Sequence, residues 1–359
     1  MPGFTRWAAW LAALALLAGC GRGRWLPQGR EMKNMALMRV MGADAGDRAE
    51  ETAVTFSSGR RARGTDGEAE PPLVLSARRE TAAAACAAIQ AMGDSYVYYG
   101  HVDQLLLGEE LALRGVFPIL DHFRRDRDLG LGTQIWLMRG GRAEDALRAG
   151  GEEGTGERLA VLQTGGEMGT AGLSRTAGEV LTALLEDGSA WAPALSREEE
   201  ALRECGYGVL KDGALAGWLT GPAARGLELA QGRSGGEPVQ LEGAAVRLHS
   251  VALKCAPVLS GGKLTALRLE LKLKGELADP GSAGDPDALE GALEEWAAEC
   301  LAAAVTQLQR WNADCLSLAR RCGAARPGQW EGISGQWEAA FPELELEIRC
   351  SAALHTQGG

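Results

Sequence analysis

Two segments near the C-terminal end of the chain alternate strictly between apolar and polar residues. In "LTALRLELKLKGEL" the leucines Leu267, Leu269, Leu271 and Leu273 alternate with mostly basic residues, and in "ELELEIRCSAAL" the polar positions are mostly acidic. A period of two predicts strands with one solvated face. Opposite charges across a strand pair contribute about 0.2–1 kcal/mol each, so we expect these two strands to be neighbours in one sheet.

A long amphipathic helix is predicted between those strands, over residues 285–311. Its apolar stripe is wide enough to pack on a sheet and comprises Leu289, Leu293, Trp296, Cys300 and Leu308. Upstream, a Gly-Gly pair at 261–262 predicts a turn, and the Asp-Gly pair in "GYGVLKDGALAGWLTG" predicts a β-hairpin. The second half of the chain is therefore expected to form an antiparallel sheet with a long packed helix.

The first half of the chain predicts a mixed layer of strands and helices. The runs "MALMRVMGADA" and "ETAVTFSSG" predict a strand pair, and Ser76 is predicted to cap an alanine-rich helix that ends at Gly93. Asp103 is predicted to cap a helix over "QLLLGEELALRG", and a second helix begins near Pro118. The strand "GTQIWLMRG" and the short helix "AEDALRAG" follow. This order indicates an α/β layer.

A chain of 359 residues exceeds what one compact core needs, so we expect a multidomain α+β protein of about three domains. The glycine clusters "GGEEGTGERL" and "GGEMGTAGLS" are predicted to be loops. The predicted divisions are a signal peptide (1–19), an anchor and stalk (20–34), an N-terminal α/β domain (35–150), a glycine-rich linker with a connecting helix (151–200), a middle hairpin-helix subdomain (201–240) and a C-terminal sheet with the long helix (241–359).

The chain begins with an uncharged apolar run over residues 7–19, which is shorter than the roughly 20 residues that span a membrane. Arg6 precedes it, as in an export signal. The run ends in Leu17-Ala18-Gly19-Cys20, which resembles the bacterial lipobox, whose cysteine becomes the first residue of the mature chain and carries a diacylglycerol thioether. Because two acyl chains hold a protein stably in a bilayer, Cys20 is predicted to tether the chain to the outer face of the cytoplasmic membrane.

Charge and motifs argue against several classes of function. The net charge of −11 excludes a nucleic-acid-binding surface, which needs clustered Lys and Arg. None of the four histidines has metal-ligand spacing, and no GxSxG elbow or phosphate-binding loop is present. Glu109 and Glu110 are adjacent and point about 100° apart on a helix, so they cannot flank one glycosidic bond. No catalytic residue, metal site or cofactor is predicted.

The cysteines other than Cys20 predict no covalent or metal chemistry. They number seven and include no CxxC pair, so the sequence signals neither a complete disulfide framework nor a zinc site. Cys86, Cys300 and Cys350 fall on apolar faces of predicted elements. We interpret them as small buried hydrophobic residues.

The block "YGHVDQLLLGEELALRGVFPILDHFRRD", followed by "GTQIWLMRG", resembles the Ger(x)C family of spore germination lipoproteins. The matching positions there are Gly100, His101, Gly108, Glu109, Leu120, Asp121, Arg125 and Asp126. Further matches are "KDGALAGWLTGPAARGLELAQG", which contains Trp218, and the C-terminal positions Asn312, Asp314, Pro327, Trp330, Trp337 and Phe341. The segment behind the lipid cysteine departs from the family, because Trp25 and Glu31 are separated by a longer spacer.

The resemblance implies a role without catalysis. Members of this family are C subunits of nutrient germinant receptors in the inner spore membrane, and they act with two polytopic partners, the A and B subunits. Such a subunit is an α+β protein of three domains outside the membrane. The matching residues are then interpreted as structural or docking positions.

The alternative is a solute-binding lipoprotein of an ABC-type transporter, which would share the anchor and the compartment. Such a protein is expected to have two lobes of parallel βαβ units with a cleft between them. The long alternating strands predicted for the second half argue against that architecture.

Overall fold

The computed structural model describes residues 35–59, 71–92, 95–150, 154–169, 171–198, 201–233, 238–241, 244–278 and 285–355. The predicted signal peptide, Cys20 and the stalk lie outside the described residues. So does the charged segment 60–70.

The first sheet contains nine strands within the described part of the chain. They are β1 (Met35–Ala45), β2 (Thr52–Ser58), β3 (Val74–Arg79), β4 (Tyr96–Tyr98), β5 (Gln104–Leu107), β6 (Gln134–Arg139), β7 (Ser189–Glu198), β8 (Ala201–Lys211) and β9 (Ala214–Leu219). Their order is β3-β2-β1-β5-β6-β7-β8-β9, and β4 pairs with the start of β1. The central strands β1, β5, β6 and β7 are parallel, and antiparallel strands flank them on both sides.

Helices cover both faces of this sheet. They are α1 (Ala82–Gln90), α2 (Glu109–Arg114), α3 (Phe117–Arg125), α4 (Ala143–Arg148), α5 (Thr155–Met168) and α6 (Ala177–Asp187). Residues of α1, α2, α3 and α6 share one buried cluster with the sheet. Residues of α4 and α5 share another cluster, which contains Trp136. The central strands are therefore buried on both faces, as parallel strands usually are.

The predicted helix that starts at Asp103 is wrong, because residues 104–107 form strand β5. Leu105 and Leu107 pack into one cluster and Leu106 into the other, so the strand is apolar on both faces and lacks a period of two. Helix α2 begins only at Glu109. The carboxylate of Asp103 instead accepts a 3.0 Å hydrogen bond from Nε of Arg39 in β1.

Helix α1 forms as predicted, but its bounds and its cap differ. Ser76 lies in β3, and the Thr81 side chain caps the helix by accepting a 3.1 Å hydrogen bond from the amide of Ala84. The helix ends at Gln90. Thr81 takes the role because it stands next to the first helical residue, in the extended conformation typical of an N-cap.

The prediction of loops at the two glycine clusters is wrong in part, because α5 includes residues 155–159 of the first cluster and residues 165–168 of the second. Gly166 allows the helix to lie against the following segment: a Cβ there would stand 2.5 Å from the carbonyl oxygen of Gly172. Gly169 ends the helix in the left-handed conformation, with a φ of 73°. These glycines serve close packing and a helix end, which composition alone does not reveal.

The second sheet contains β10 (Val239–Leu241), β11 (Ala244–Ser260), β12 (Lys263–Leu277) and β13 (Glu345–His355) in that order. The prediction that the two alternating strands are neighbours is confirmed. Arg268 of β12 pairs with Glu347 of β13, and Glu270 pairs with Arg349. Nε of Arg268 lies 2.8 Å from the Glu347 carboxylate. Strands β10, β11 and β12 are antiparallel, whereas β13 is parallel to β12.

The helices of the second half are α7 (Pro222–Ala230), α8 (Pro286–Arg310), α9 (Leu318–Ala325), α10 (Pro327–Trp330) and α11 (Trp337–Ala340). The long helix α8 is confirmed, with Asp285 as its N-cap. In the chain, α8 lies between β12 and β13. It leads the backbone back across the sheet, so β13 runs parallel to β12. Its apolar face shares one buried cluster with the leucines of β12.

The predicted hairpin in residues 206–221 is present. Strands β8 and β9 are the last strands of the first sheet, and Asp212 and Gly213 turn with φ of 51° and 84°, as a type I′ turn requires. Helix α7 instead packs on α8, where a Cβ on Gly226 would stand 2.0 Å from the Cys300 carbonyl oxygen. The α+β class with a multidomain arrangement is confirmed.

Candidate functional site at the junction of the two sheets

A cleft of about 430 Å³ lies where the second half of the chain meets the first sheet. The first half contributes the end of α6, with Asp187, and the β8–β9 turn, with Lys211. The second half contributes Asp314, Trp330 and Trp337, which are three of the positions that the sequence resemblance singled out. The fold therefore brings these three residues together, and it adds Asp187 and Lys211 beside them.

Asp314 organises the second-half wall of the cleft. Its two carboxylate oxygens each accept a 2.8 Å hydrogen bond, from the amides of Leu318 and Ala319 in the first turn of α9. A carboxylate at this place satisfies amides that have no partner within the helix. Burial raises the pKa of Asp314 to about 7, although its two amide donors favour the charged form. The residue is therefore poised to change its charge near neutral pH.

Helix α9 contacts the first sheet unit through polar side chains. The Ser317 hydroxyl donates a 2.7 Å hydrogen bond to the Asp187 carboxylate at the end of α6. Nη2 of Arg320 lies 2.7 Å from the same carboxylate and 2.9 Å from that of Glu186. More than half of the Arg320 and Glu186 side-chain surface is exposed, so this pair contributes at most about 1 kcal/mol. These contacts orient α9 more than they stabilise it.

Aromatic rings form the rest of the wall. Trp330 and Trp337 meet at an angle of 61° with ring centroids 5.5 Å apart, and Trp337 stacks on Phe341 at 5.2 Å. Such pairs add about 0.5–1.5 kcal/mol each beyond burial. The indole Nε1 of Trp337 is buried and has no hydrogen-bond partner among the described residues. The contact between Trp330 and Trp337 therefore joins two short helices, α10 and α11.

Gly108 and Glu109 hold the first sheet together at another place. The Glu109 carboxylate accepts hydrogen bonds from the Trp218 indole in β9 (3.1 Å) and from the Gly140 amide after β6 (2.7 Å). A Cβ on Gly108 would stand 2.0 Å from a carboxylate oxygen of Asp44. Both residues therefore fit α2 closely against its neighbours.

Asp44 lies beside Gly108 and has a role that the sequence did not predict. Its carboxylate accepts hydrogen bonds from the amides of Ala143 (2.8 Å) and Glu144 (2.9 Å), and so it caps α4 from 99 residues away. Burial raises the pKa of Asp44. An aspartate at the end of a strand does not by itself indicate that it caps a helix 99 residues further along the chain.

Three further positions of the resemblance lie in α3 or directly after it. Asp121, Arg125 and Asp126 line a second cleft, between α1 and α3. Asp121 forms ion pairs with Arg124 and Arg125, and the hydrogen bond from Arg124 is the main reason that the pKa of Asp121 is lowered. Asp126 caps the turn that follows by accepting a 2.9 Å hydrogen bond from the Asp128 amide.

His101 and Gly100 stand in the turn before β5. The His101 ring meets the Tyr98 ring edge-on with centroids 5.4 Å apart. A Cβ on Gly100 would stand 2.5 Å from the Tyr98 hydroxyl. These two residues shape a turn around one aromatic ring.

Neither a metal cluster nor a membrane-spanning helix stands out in the part of the chain that the structure describes. No group of three or more His, Cys, Asp or Glu side chains there could hold a metal ion. No helix among those residues is both long enough and apolar enough to cross a membrane.

Comparison with known proteins defines the class. Residues 28–197 match the family described as the spore germination protein N-terminal domain, and residues 205–358 match the family described as spore germination B3/GerAC like, C-terminal. Two domains of spore germination proteins thus follow each other in order over nearly the whole chain. The chain belongs to the Ger(x)C family of germinant receptor C subunits, as the sequence motifs predicted.

A solved structure supports the fold. The protein is similar to the crystal structure of the GerBC protein, with a TM-score of 0.58 and 18% identity, over 88% of this chain and 96% of that chain. The search of curated proteins gave no match.

Proposed function

We propose that this protein is the lipid-anchored C subunit of a spore nutrient germinant receptor and is needed for nutrient-triggered germination. The observation that carries the proposal is the pair of family matches, which follow each other in order from residue 28 to residue 358. The membrane-embedded A and B subunits of the receptor are its proposed partners. Its contribution is assembly, not catalysis.

The proposed anchor is a diacylglycerol on Cys20. The lipobox-like Leu17-Ala18-Gly19-Cys20 supports it, because a signal peptide cleaved before the cysteine leaves the acylated residue at the new N-terminus. Two acyl chains suffice for stable membrane binding. The folded residues would then lie outside the membrane, tethered through the short segment 21–34.

The motif residues fit a structural role in this subunit. Asp314, Trp330 and Trp337 fix α9, α10 and α11 at the junction of the two sheets. Glu109 and Trp218 join α2 to β9 by a hydrogen bond. We propose that these residues keep a fixed surface for the partner subunits. The rival function, a solute-binding lipoprotein, calls for two lobes of parallel βαβ units, whereas three of the four strands of the second sheet are antiparallel.

A deletion strain tests the proposed function. Spores that lack this protein are given single nutrients, and germination is followed by the fall in optical density of the suspension. We expect loss of the response to at least one nutrient that triggers the parent spores, and restoration by a wild-type copy. Deletion spores that respond to every such nutrient as fast as the parent would overturn the proposal.

A further inference from the structure

Two buried cysteines of the second half lie within bonding reach of each other. Sγ of Cys255 in β11 is 2.8 Å from Sγ of Cys322 in α9. Their exposed fractions are 4% and 0%. A disulfide has an S–S length of about 2.05 Å, so the two sulfurs need to approach by only about 0.8 Å to form the bond.

Regular structure on both sides holds this pair in place. Cys255 stands in a long strand, opposite Leu269 of β12. Cys322 lies one helical turn after Leu318 in α9, and the Leu318 carbonyl oxygen is 3.7 Å from the Cys255 sulfur. Both cysteines belong to the same buried cluster as the apolar face of α8. Because neither backbone lies in a loop, the close approach follows from how α9 packs on the sheet.

We propose that Cys255 and Cys322 form a disulfide that fastens α9 to the second sheet. The oxidant is a low-molecular-weight disulfide, such as oxidised glutathione, which loses its own S–S bond. The two cysteine S–H bonds break, one S–S bond forms between the cysteines, and two protons and two electrons pass to the oxidant, which leaves as two thiols. No local sequence pattern indicates this pair, because 67 residues separate its members.

The cross-link would act at the junction of the two sheets. Helix α9 carries Arg320, whose contacts with Glu186 and Asp187 reach the end of α6. A bond between α9 and β11 would therefore fix the second sheet relative to α9, whose Arg320 contacts the end of α6 on the first sheet. Exported proteins meet oxidising conditions in which disulfides persist, so the compartment proposed above suits the bond. The bond itself does not depend on the proposed function.

Accessibility decides when the bond forms. The hydrogen bond between Cys255 and Cys322 and the burial of Cys255 both raise the pKa of Cys255, so little Cys255 thiolate is present once the protein has folded. We therefore expect oxidation during refolding, before α9 packs on the sheet, and slow reduction afterwards. A reductant added to the folded protein should act only when α9 opens locally.

Alkylation of the refolded full chain tests the proposal. The protein is unfolded, refolded in buffer with oxidised and reduced glutathione, denatured without reductant and alkylated, and its mass is measured. We expect two fewer alkyl groups than after reduction, and one cross-linked peptide pair that contains residues 255 and 322. Full alkylation without reductant, or a cross-link between other cysteines, would overturn the proposal.

Variants make the readout specific. Cys255→Ser and Cys322→Ala should each abolish the two-group difference, whereas Cys350→Ser, which changes a half-buried thiol of β13, should retain it. A reductant should lower the melting temperature of the wild type and of Cys350→Ser but leave that of Cys322→Ala unchanged. Equal sensitivity of all three proteins to the reductant would contradict the cross-link. The mass measurement on the wild type stands even where a variant fails to fold.

Discussion

The charge of Asp314 should make the stability of the protein depend on pH in a specific direction. The residue is 9% exposed and caps α9 with both carboxylate oxygens. Burial raises its pKa from the ordinary 3.8 to about 7. Asp314→Asn is the perturbation that separates these effects, because an amide oxygen still accepts a hydrogen bond whereas the side chain no longer titrates.

The sign and the size follow from that shift. Because the folded-state pKa is raised, the folded protein binds more protons than the unfolded chain between about pH 4 and pH 7. The contribution of Asp314 to the free energy of unfolding is therefore fully present below pH 4 and is lost as pH rises to about 7. The full difference is about 4 kcal/mol, at about 1.4 kcal/mol for each pH unit. Between pH 5 and pH 7 it amounts to about 2 kcal/mol.

Urea unfolding of the wild type and of Asp314→Asn at pH 5, 6 and 7 measures this contribution. Other titrating groups are common to both proteins, so they cancel in the difference between the two free energies of unfolding. We expect the wild type to lose about 2 kcal/mol relative to the variant between pH 5 and pH 7. A difference that stays constant over this range would contradict the raised pKa, since Asp314 would then be charged in the folded state throughout.

Two further predictions concern the first sheet and its packing, and both are read from urea unfolding curves. Gly108→Ala places a methyl group 2.0 Å from a carboxylate oxygen of Asp44 and should lower the free energy of unfolding by about 1–3 kcal/mol. The control Gly291→Ala, in α8 with nothing within 4 Å of the new Cβ, should raise it by about 0.5–1 kcal/mol. Equal shifts in the two variants would contradict the close fit at Gly108. Glu109→Ala, Trp218→Phe and the double variant should reveal a coupling of about 0.5–3 kcal/mol, because each single change removes the hydrogen bond between the two side chains. Strictly additive effects would mean that this hydrogen bond contributes nothing.

The sequence correctly predicts the strands and helices that expose one face to solvent. The alternation of Leu267, Leu269 and Leu271 yields β12 because its other face carries charged residues. The stripe of α8 yields a helix for the same reason. Strand β5 is not predicted from the sequence, because Leu106 is buried on one face of the strand whereas Leu105 and Leu107 are buried on the other. Burial on both faces removes the period from which a strand is recognised.

The candidate site shows a different limit. Asp314, Trp330 and Trp337 were singled out one by one from family motifs, but their common cleft depends on how the second sheet meets the first. The Ser317 to Asp187 hydrogen bond joins residues 130 positions apart. No local pattern encodes a contact of that separation, since it follows from the packing of whole elements. Sequence motifs thus single out individual residues, and the structure shows which elements those residues contact.

We propose above that the protein acts as a receptor subunit tethered to the membrane through Cys20. The most direct test compares spores that carry Cys20→Ala with spores that carry Cys205→Ala, which changes a half-buried thiol of β8. Membrane fractions and nutrient-triggered loss of optical density are measured for both. We expect that the Cys20→Ala protein leaves the membrane fraction and fails to support nutrient germination, whereas the Cys205→Ala protein behaves as the wild type. Normal nutrient germination in spores whose Cys20→Ala protein has left the membrane would contradict it.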